Sequence, residues 1–382
     1  MKLSVSEYNK LEKLQFSKFS NRVLQAFIPT TFTKLGYPIE VTNSNELWRY
    51  CDVMQEGRVN GNLDFLGGMS EEEFDACVAV SEQVQNYSES IGHKTTGKHA
   101  ITRAIISKRI LDRLVSSNIR VLEIGPGSAC FGAMLVNSGH SYFSTDITQA
   151  FYLHQNSFFY HAFKDEFSEW AIDPTTVKKN NHIPWWNIAN NNFELPDIDV
   201  VFCNHVLTEM HPNSFRFTLK RVIESMRRCI DSNDKYIIAE GLYDTNNLKV
   251  YQVISFLYGE GLNLIYWKDR MAVFQIEELH THDTYKNLAK KNAVYLYSLM
   301  PKAMRLYSKK IFYYVSVKIN RNTKKTITKK VGNKLIGNLG LPSGKVVSTE
   351  KIMSYFNSII ENEKTEDEKF IDYIVECFWD EI

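Results

Sequence analysis

Apolar positions recur along this chain in two patterns, helical spacing and short continuous runs, and each predicts its own kind of element. Residues 1 to about 100 read as largely helical, with loops. In "SEEEFDACVAVSEQVQNYSESIG", Ser70 precedes acids in the first turn, the apolar spacing follows, and Gly92 closes the run. That order predicts a capped helix. The glycine-rich "GRVNGNLDFLGGM" before it reads as a loop.

Residues 101 to 277 alternate short apolar runs with amphipathic ones. "AITRAIISKRILDRLV" has helical spacing; "RVLEIG" is a buried strand; "CFGAMLVNSG" opens a helix ending near Gly139. "SYFSTDI" is a second strand and "ITQAFYLHQNSFFYHAFKDEF" a long aromatic helix. "HIPWWNI" reads as a third, short strand, and "DIDVVFCNHV" as a buried one. The run "PNSFRFTLKRVIESMRRCI" is helical from its proline. "DKYIIAEGLY" is a strand, "NLKVYQVISFLYGEG" a helix, and "LNLIYWKDRMAVFQIEEL" a hairpin around Lys-Asp-Arg. Strands alternating with helices predict an α/β fold with a mainly parallel sheet covered on both faces and an antiparallel edge hairpin. Helical N- and C-terminal regions flank it, so three regions are expected: 1–100, a possible substrate cap; 101–277, the core; and 278–382.

Composition narrows the class. The chain is 44% hydrophobic and 13% aromatic, as in folded globular proteins. Six scattered cysteines form no C-x-x-C pair, which suits buried, reduced thiols in a cytoplasm. The N-terminus lacks the apolar core of a signal peptide, and no window is apolar enough to span a membrane. "HTHD" at 280–283 hints at a metal, but no matching third ligand accompanies it, and none is assigned.

The most informative stretch is "RVLEIGPGSACFGAML", residues 120 to 135. A strand, a glycine turn and a helix make a cofactor cradle, because glycine admits close backbone approach and a helix N-terminus offers free N–H groups. A dinucleotide fingerprint would need glycine where Cys130 stands. A P-loop would need Lys and Ser/Thr where Ala133 and Met134 follow Gly132. S-adenosylmethionine (SAM) has no pyrophosphate; it needs close backbone approach and nearby acids. Glu123 precedes the glycines and Asp146 ends the next strand, where a carboxylate can accept both ribose hydroxyls.

With "YFSTDI", "DVVFCNHVLTEMHP" and "KYIIAEG" following in order, residues 100 to 277 resemble the class I SAM-dependent methyltransferases, a Rossmann-like fold. The E-x-G-x-G pattern falls on Glu123, Gly125 and Gly127. It departs at Ala129, where a third glycine is common, leaving the turn to the first two. The resemblance implies SAM as cofactor. Gly125 and Gly127 would pass under its methionine part, Asp146 would bind ribose, Ile147 would pack on adenine, and Asn187 would meet the adenine amino group. Asn204 and His205 would face the methyl group. The lead-in "GHKTTGKHAITRAI" offers Thr96, Lys98 and Arg103 to the SAM carboxylate, with a structural role equally open.

In-line methyl transfer needs positioning first, and a hydroxyl acceptor also needs a base. His205 is the first candidate, as base or as a cap of the strand end; Glu209 and His211 follow, with a capping role favoured for His211. Tyr152 and Tyr160 fill the core or line an acceptor pocket. No N-P-P-Y motif stands at "CNHV", which argues against adenine- and glutamine-N-methylating types. The layout is similar to sugar O-methyltransferases of bacterial surface polysaccharides, which implies a sugar or lipid-linked glycan acceptor. RNA or small-molecule methylation, or a non-catalytic scaffold, are the alternatives. Finally, net charge is +1, yet Lys286 to Lys345 carries fifteen cations and no acid, while residues 350–382 carry ten acids against three lysines. The opposite charge of the adjacent segment favours a match of the basic block with the acidic tail itself; an anionic membrane surface at the inner face and, less favoured, a nucleic-acid backbone are the alternatives.

Overall fold

The computed structural model describes residues 2–27, 39–52, 58–116, 118–229, 234–268, 270–276, 345–359, 361 and 369. The "HTHD" run, nearly all of the basic block, most of the acidic tail and Cys377 lie outside them. The chain divides into two compact units, Met1–Glu194 with Asn338–Ile382, and Leu195–Gly337.

The first unit opens with helix α1 (Val5–Phe16), whose Ser4 and Glu7 form a reciprocal capping box. Helix α2 (Asn21–Ala26) and a 3₁₀ helix (Ser44–Cys51) follow. The "GRVNGNLDFLGGM" stretch is not a loop: residues Val59–Leu66 form helix α3. Val59, Leu63 and Leu66 are buried along one face, and Gly67 ends the helix at φ 64°. Burying three apolar side chains, roughly 1.5–3 kcal/mol each, outweighs the ~1 kcal/mol that Gly61 costs inside a helix. Strand β1 (Met69–Ser70) leads to α4 (Glu71–Ser90), capped by Ser70 as its spacing predicts, and then α5 (Lys98–Leu114).

Strand and helix then alternate: β2 (Arg120–Ile124), α6 (Cys130–Asn137), β3 (Ser141–Thr145), α7 (Gln149–Phe163), β4 (Phe167–Glu169), β5 (Asn180–His182) and α8 (Trp185–Ala189). Strands β2 to β5 lie in the order β4-β5-β3-β2, all parallel. The strand beside β3 is therefore "NNH", ahead of the expected "HIPWWNI". Pro184 marks the break, and Trp185 and Trp186 are buried from a helix instead. Strand β4 left no periodic trace because it is three residues long. Tyr8 of α1 packs on Tyr152 of α7 at 5.0 Å and on Trp186 at 5.5 Å, fastening the N-terminal region over the start of α7. At the other end of the chain, β10 (Val346–Val347) pairs with β1, and α11 (Thr349–Ser358) follows.

The second unit holds β6 (Val200–Asn204), α9 (Pro212–Arg228), β7 (Tyr236–Glu240), α10 (Val250–Gly259), β8 (Leu262–Lys268) and β9 (Met271–Ile276). Strand β6 runs parallel to β7, and β9 runs antiparallel to both β7 and β8, giving the expected edge hairpin. The fold is thus α/β and Rossmann-like, with mainly parallel strands. Its strands read as continuous apolar runs because helices cover them.

Candidate active site

Strand β2 runs directly into a turn with alternate residues in the left-handed region: Gly125 at φ 71°, Gly127 at 55° and Ala129 at 66°. The turn is thus carried by three positions, not two, and Ala129 adopts it at a cost of about 1–2 kcal/mol. The Gly125 amide donates to the Thr145 carbonyl at 2.9 Å, tying the turn to the end of β3. A side chain added at Gly127 would enter open space, so its backbone stands free for a ligand. Gly132 has a different purpose: a Cβ there would strike the Tyr142 ring at 2.4 Å. Tyr142 uses that room to donate to the buried Glu123 carboxylate at 2.6 Å.

Asp146 follows β3. One carboxylate oxygen accepts the Thr148 amide at 2.9 Å and the other the Gln155 amide at 3.0 Å. Burial pushes its pKa up to about 6, against the pull of Thr148 and Gln155. Each oxygen can accept a second donor. The Thr148 hydroxyl beside it is buried with no hydrogen-bond partner.

Sequence reasoning missed what holds these groups. Gln155 also donates to the Gly127 carbonyl at 3.1 Å and meets His182 Nε2 at 3.1 Å, so one side chain clasps the glycine turn and Asp146. His182 Nδ1 lies 2.9 Å from Glu169, which also accepts from Tyr152, Asn156 and the Ala171 amide. His154 sits 3.1 Å from both the Ser128 and Leu47 carbonyls, and burial drives its pKa down to about 4. The available signal was three consecutive polar residues, His154, Gln155 and Asn156, inside an aromatic helix. Tyr152 is likewise a core residue bonded to Glu169, while Tyr160 is 39% exposed.

The other first-unit candidates are placed as follows. Ile147 is half-buried beside the N-terminal aromatic cluster. Asn187 lies in α8, not on a strand, and donates to the Trp170 carbonyl at 3.4 Å. Arg103 is half-buried in the second turn of α5. Thr96 and Lys98 do hold a carboxylate, but it is the chain's own Glu361: the Thr96 hydroxyl donates at 2.6 Å, its amide at 2.9 Å and Lys98 Nζ at 2.9 Å.

In the second unit, β6 ends at Asn204 and His205, the latter at φ 56°. The His205 amide donates to the Glu240 carbonyl at 3.0 Å. Gly241 makes room for its ring: a Cβ there would lie 2.1 Å from His205 Nδ1. Asn204 Oδ1 is buried and unpartnered among the described residues. Glu209 accepts from the Tyr243 hydroxyl, and burial lifts its pKa to about 7 against that bond. His211 caps α9, accepting the Asn213 amide at 3.2 Å. Among the described residues, no cluster of three or more His, Cys, Asp or Glu is placed to hold a metal.

The chain matches no protein-family model and no curated protein. Among solved structures it is similar to the TehB-like SAM-dependent methyltransferase from Corynebacterium glutamicum, with 13% identity, TM-score 0.34, and coverage of 45% of this chain and 88% of that one. It is also similar to the ribosomal protein L11 methylase from Lactobacillus delbrueckii subsp. bulgaricus, with 12% identity, TM-score 0.32, and coverage of 46% and 78%. A third is magnesium protoporphyrin IX methyltransferase from Synechocystis PCC 6803 with bound SAM, with 12% identity, TM-score 0.30, and coverage of 62% and 99%. These superpositions are too loose to carry function, so the side chains must.

Proposed function

We propose that the protein is a SAM-dependent O-methyltransferase whose acceptor is a sugar or glycan hydroxyl. The observation that carries this reading is the left-handed turn at Gly125, Gly127 and Ala129, joined through Gln155 to the buried Asp146. Backbone free for close approach next to an under-used carboxylate fits a ligand with a ribose diol and no pyrophosphate. The orphan Thr148 hydroxyl adds a polar group that a bound ligand would satisfy.

In this reading Gly125 and Gly127 bear the methionine part and Asp146 accepts the ribose hydroxyls. SAM supplies an electrophilic methyl group when bound. Glu123 braces the turn through Tyr142 rather than meeting the ligand. Glu209 takes over from His205 as the preferred base: its pKa of about 7 balances ionised fraction against basicity at neutral pH. His205, held in a strained backbone under Gly241, orients the acceptor, and Asn204 offers its orphan carbonyl. A base tuned to neutrality favours a hydroxyl acceptor, which must lose a proton. The five described cysteines are buried free thiols, in keeping with a reducing cytoplasm. Among the described residues no helix is long and apolar enough to cross a membrane.

Calorimetric titration of the full chain with SAM and S-adenosylhomocysteine tests the reading. Micromolar binding that Asp146→Ala abolishes is expected. Folded protein that binds neither ligand would overturn it and bring the scaffold alternative forward.

A further inference from the structure

A cavity of about 480 Å³ opens in the first unit, lined by Tyr87 and Ser90 of α4, the C-terminal end of α7, and the segments leading into β4 and β5. It adjoins the supports of the glycine turn: Ser157 follows two residues after Gln155, which bonds Asp146 and the Gly127 carbonyl, and the Tyr87 ring meets that of His154 at 5.7 Å.

Its charge is one-sided. Lys2, Lys164 and Lys178 line it, against the single acid Asp165, and no described residue forms an ion pair with these lysines. His161 joins them; burial and then the charges of Lys164 and Lys2 push its pKa down, which favours the neutral ring. The wall is polar and unsatisfied. Tyr87 and Ser157 are 1% and 2% exposed, and their hydroxyls lie beside each other with no other hydrogen-bond partner among the described residues. The fully buried Asn180, paired in register with the lining residue Phe167, has both side-chain amide atoms unpartnered as well. Native interiors rarely leave such groups idle unless something else meets them. Lys164 is also strained, at φ 40° and ψ −100°, a conformation that persists only where its surroundings enforce it.

We propose that this cavity binds a phosphate ester of sugar or nucleoside size. The phosphate would neutralise the lysines, favour the protonated form of His161 and accept from the Tyr87 and Ser157 hydroxyls. Tyr87, Tyr160 and Phe167 would pack against the organic body. The volume exceeds what a bare anion needs, and the aromatic wall suits the face of a sugar or base. This proposal does not rest on methyl transfer, and SAM affinity gives an independent readout.

The test is NMR of the His161 imidazole in the full chain, identified with His161→Gln. Glucose 1-phosphate, uridine 5′-monophosphate, inorganic phosphate, glucose and uridine are titrated in turn. Both esters should shift the resonance and raise the His161 pKa, binding at least roughly tenfold tighter than inorganic phosphate, a difference of about 1.4 kcal/mol. Glucose and uridine should leave it unchanged. Lys164→Ala with Lys178→Ala should weaken ester binding by about tenfold or more, while circular dichroism and SAM affinity stay as in the parent. No response to either ester up to about 10 mM, a far weaker site than this one should be, would overturn the proposal. So would equal affinity for inorganic phosphate or for uridine, or undiminished affinity in the double variant.

Discussion

Asp146 carries a stability cost that the ribose contact proposed for it would justify. Its carboxyl titrates at about 6 when folded, against an ordinary value of 3.8. A raised acid binds its proton more tightly in the folded state. Stability therefore falls as pH rises from 3.8 to about 6, and the full penalty stands above that. The ionised form costs on the order of 1–3 kcal/mol at neutral pH. Asp146→Asn should accordingly raise the thermal midpoint at pH 7.5 by a few degrees, at roughly 2–4 °C per kcal/mol, yet weaken SAM binding by about tenfold or more. Scanning fluorimetry and calorimetry on one preparation check both; a variant changed in neither removes Asp146 from the site. Ala129→Gly should be stabilising by about 0.5–1 kcal/mol in urea unfolding, because relief of left-handed strain exceeds the added freedom of the unfolded chain. The left-handed turn at Gly125 and Gly127 and the place of Asp146 just after β3 were legible in sequence, because a strand, two alternate glycines and a following strand mark them. The third left-handed position was not, since alanine carries no mark of its backbone angle.

Elements were legible where periodicity is long, as in α4, α7 and α9, and were lost where packing decides. Helix α3 hides behind glycines, and β4 and β5 are too short to show a period. Two element junctions carry predictions. The junction after β7 depends on Gly241: Gly241→Ala would drive a methyl into the His205 ring. Turnover should fall roughly hundredfold, the loss typical of an ångström's misplacement, with SAM affinity little changed. Unchanged turnover would release His205 from any orienting role. The junction before α5 holds Glu361. Burial raises its pKa, but the Thr96 hydroxyl and amide and Lys98 hold it down to about 2, against an ordinary 4.5. A lowered acid contributes stability above 4.5 that is lost as pH falls toward about 2. Allowing for partial exposure, Glu361→Gln should cost about 1 kcal/mol at pH 7, and the gap should narrow between pH 4.5 and 3. A gap that stays constant with pH would mean that the carboxylate charge is not what the Thr-Thr-Gly-Lys segment grips.

At the scale of the whole molecule, a net charge of +1 conceals fifteen cations between residues 286 and 345 and an acidic excess beyond 350. The described ends of these two blocks do not pair with each other: Lys345 meets Glu71 at 2.5 Å and Glu361 meets Lys98 at 2.9 Å. The tail therefore spends at least one acid on the first unit instead of on the basic block, which weakens the case for mutual neutralisation. Apolar and aromatic residues interleave with the cations in "SLMPKAMRLYSKKIFYYVSVKI", the composition of a segment that lies on an anionic bilayer. Each lysine near such a surface contributes about 1 kcal/mol, screened within a Debye length of about 10 Å at 0.1 M salt. The full chain should therefore sediment with vesicles containing phosphatidylserine, not with pure phosphatidylcholine, and should come off as salt is raised. A lipid-linked glycan acceptor would then be met where it is built. Binding to single-stranded RNA with a steep salt slope, and not to vesicles, would instead point the basic block at a nucleic-acid backbone and the methyl group at RNA. Binding to neither would leave the block to the acidic tail and return the acceptor to a soluble sugar.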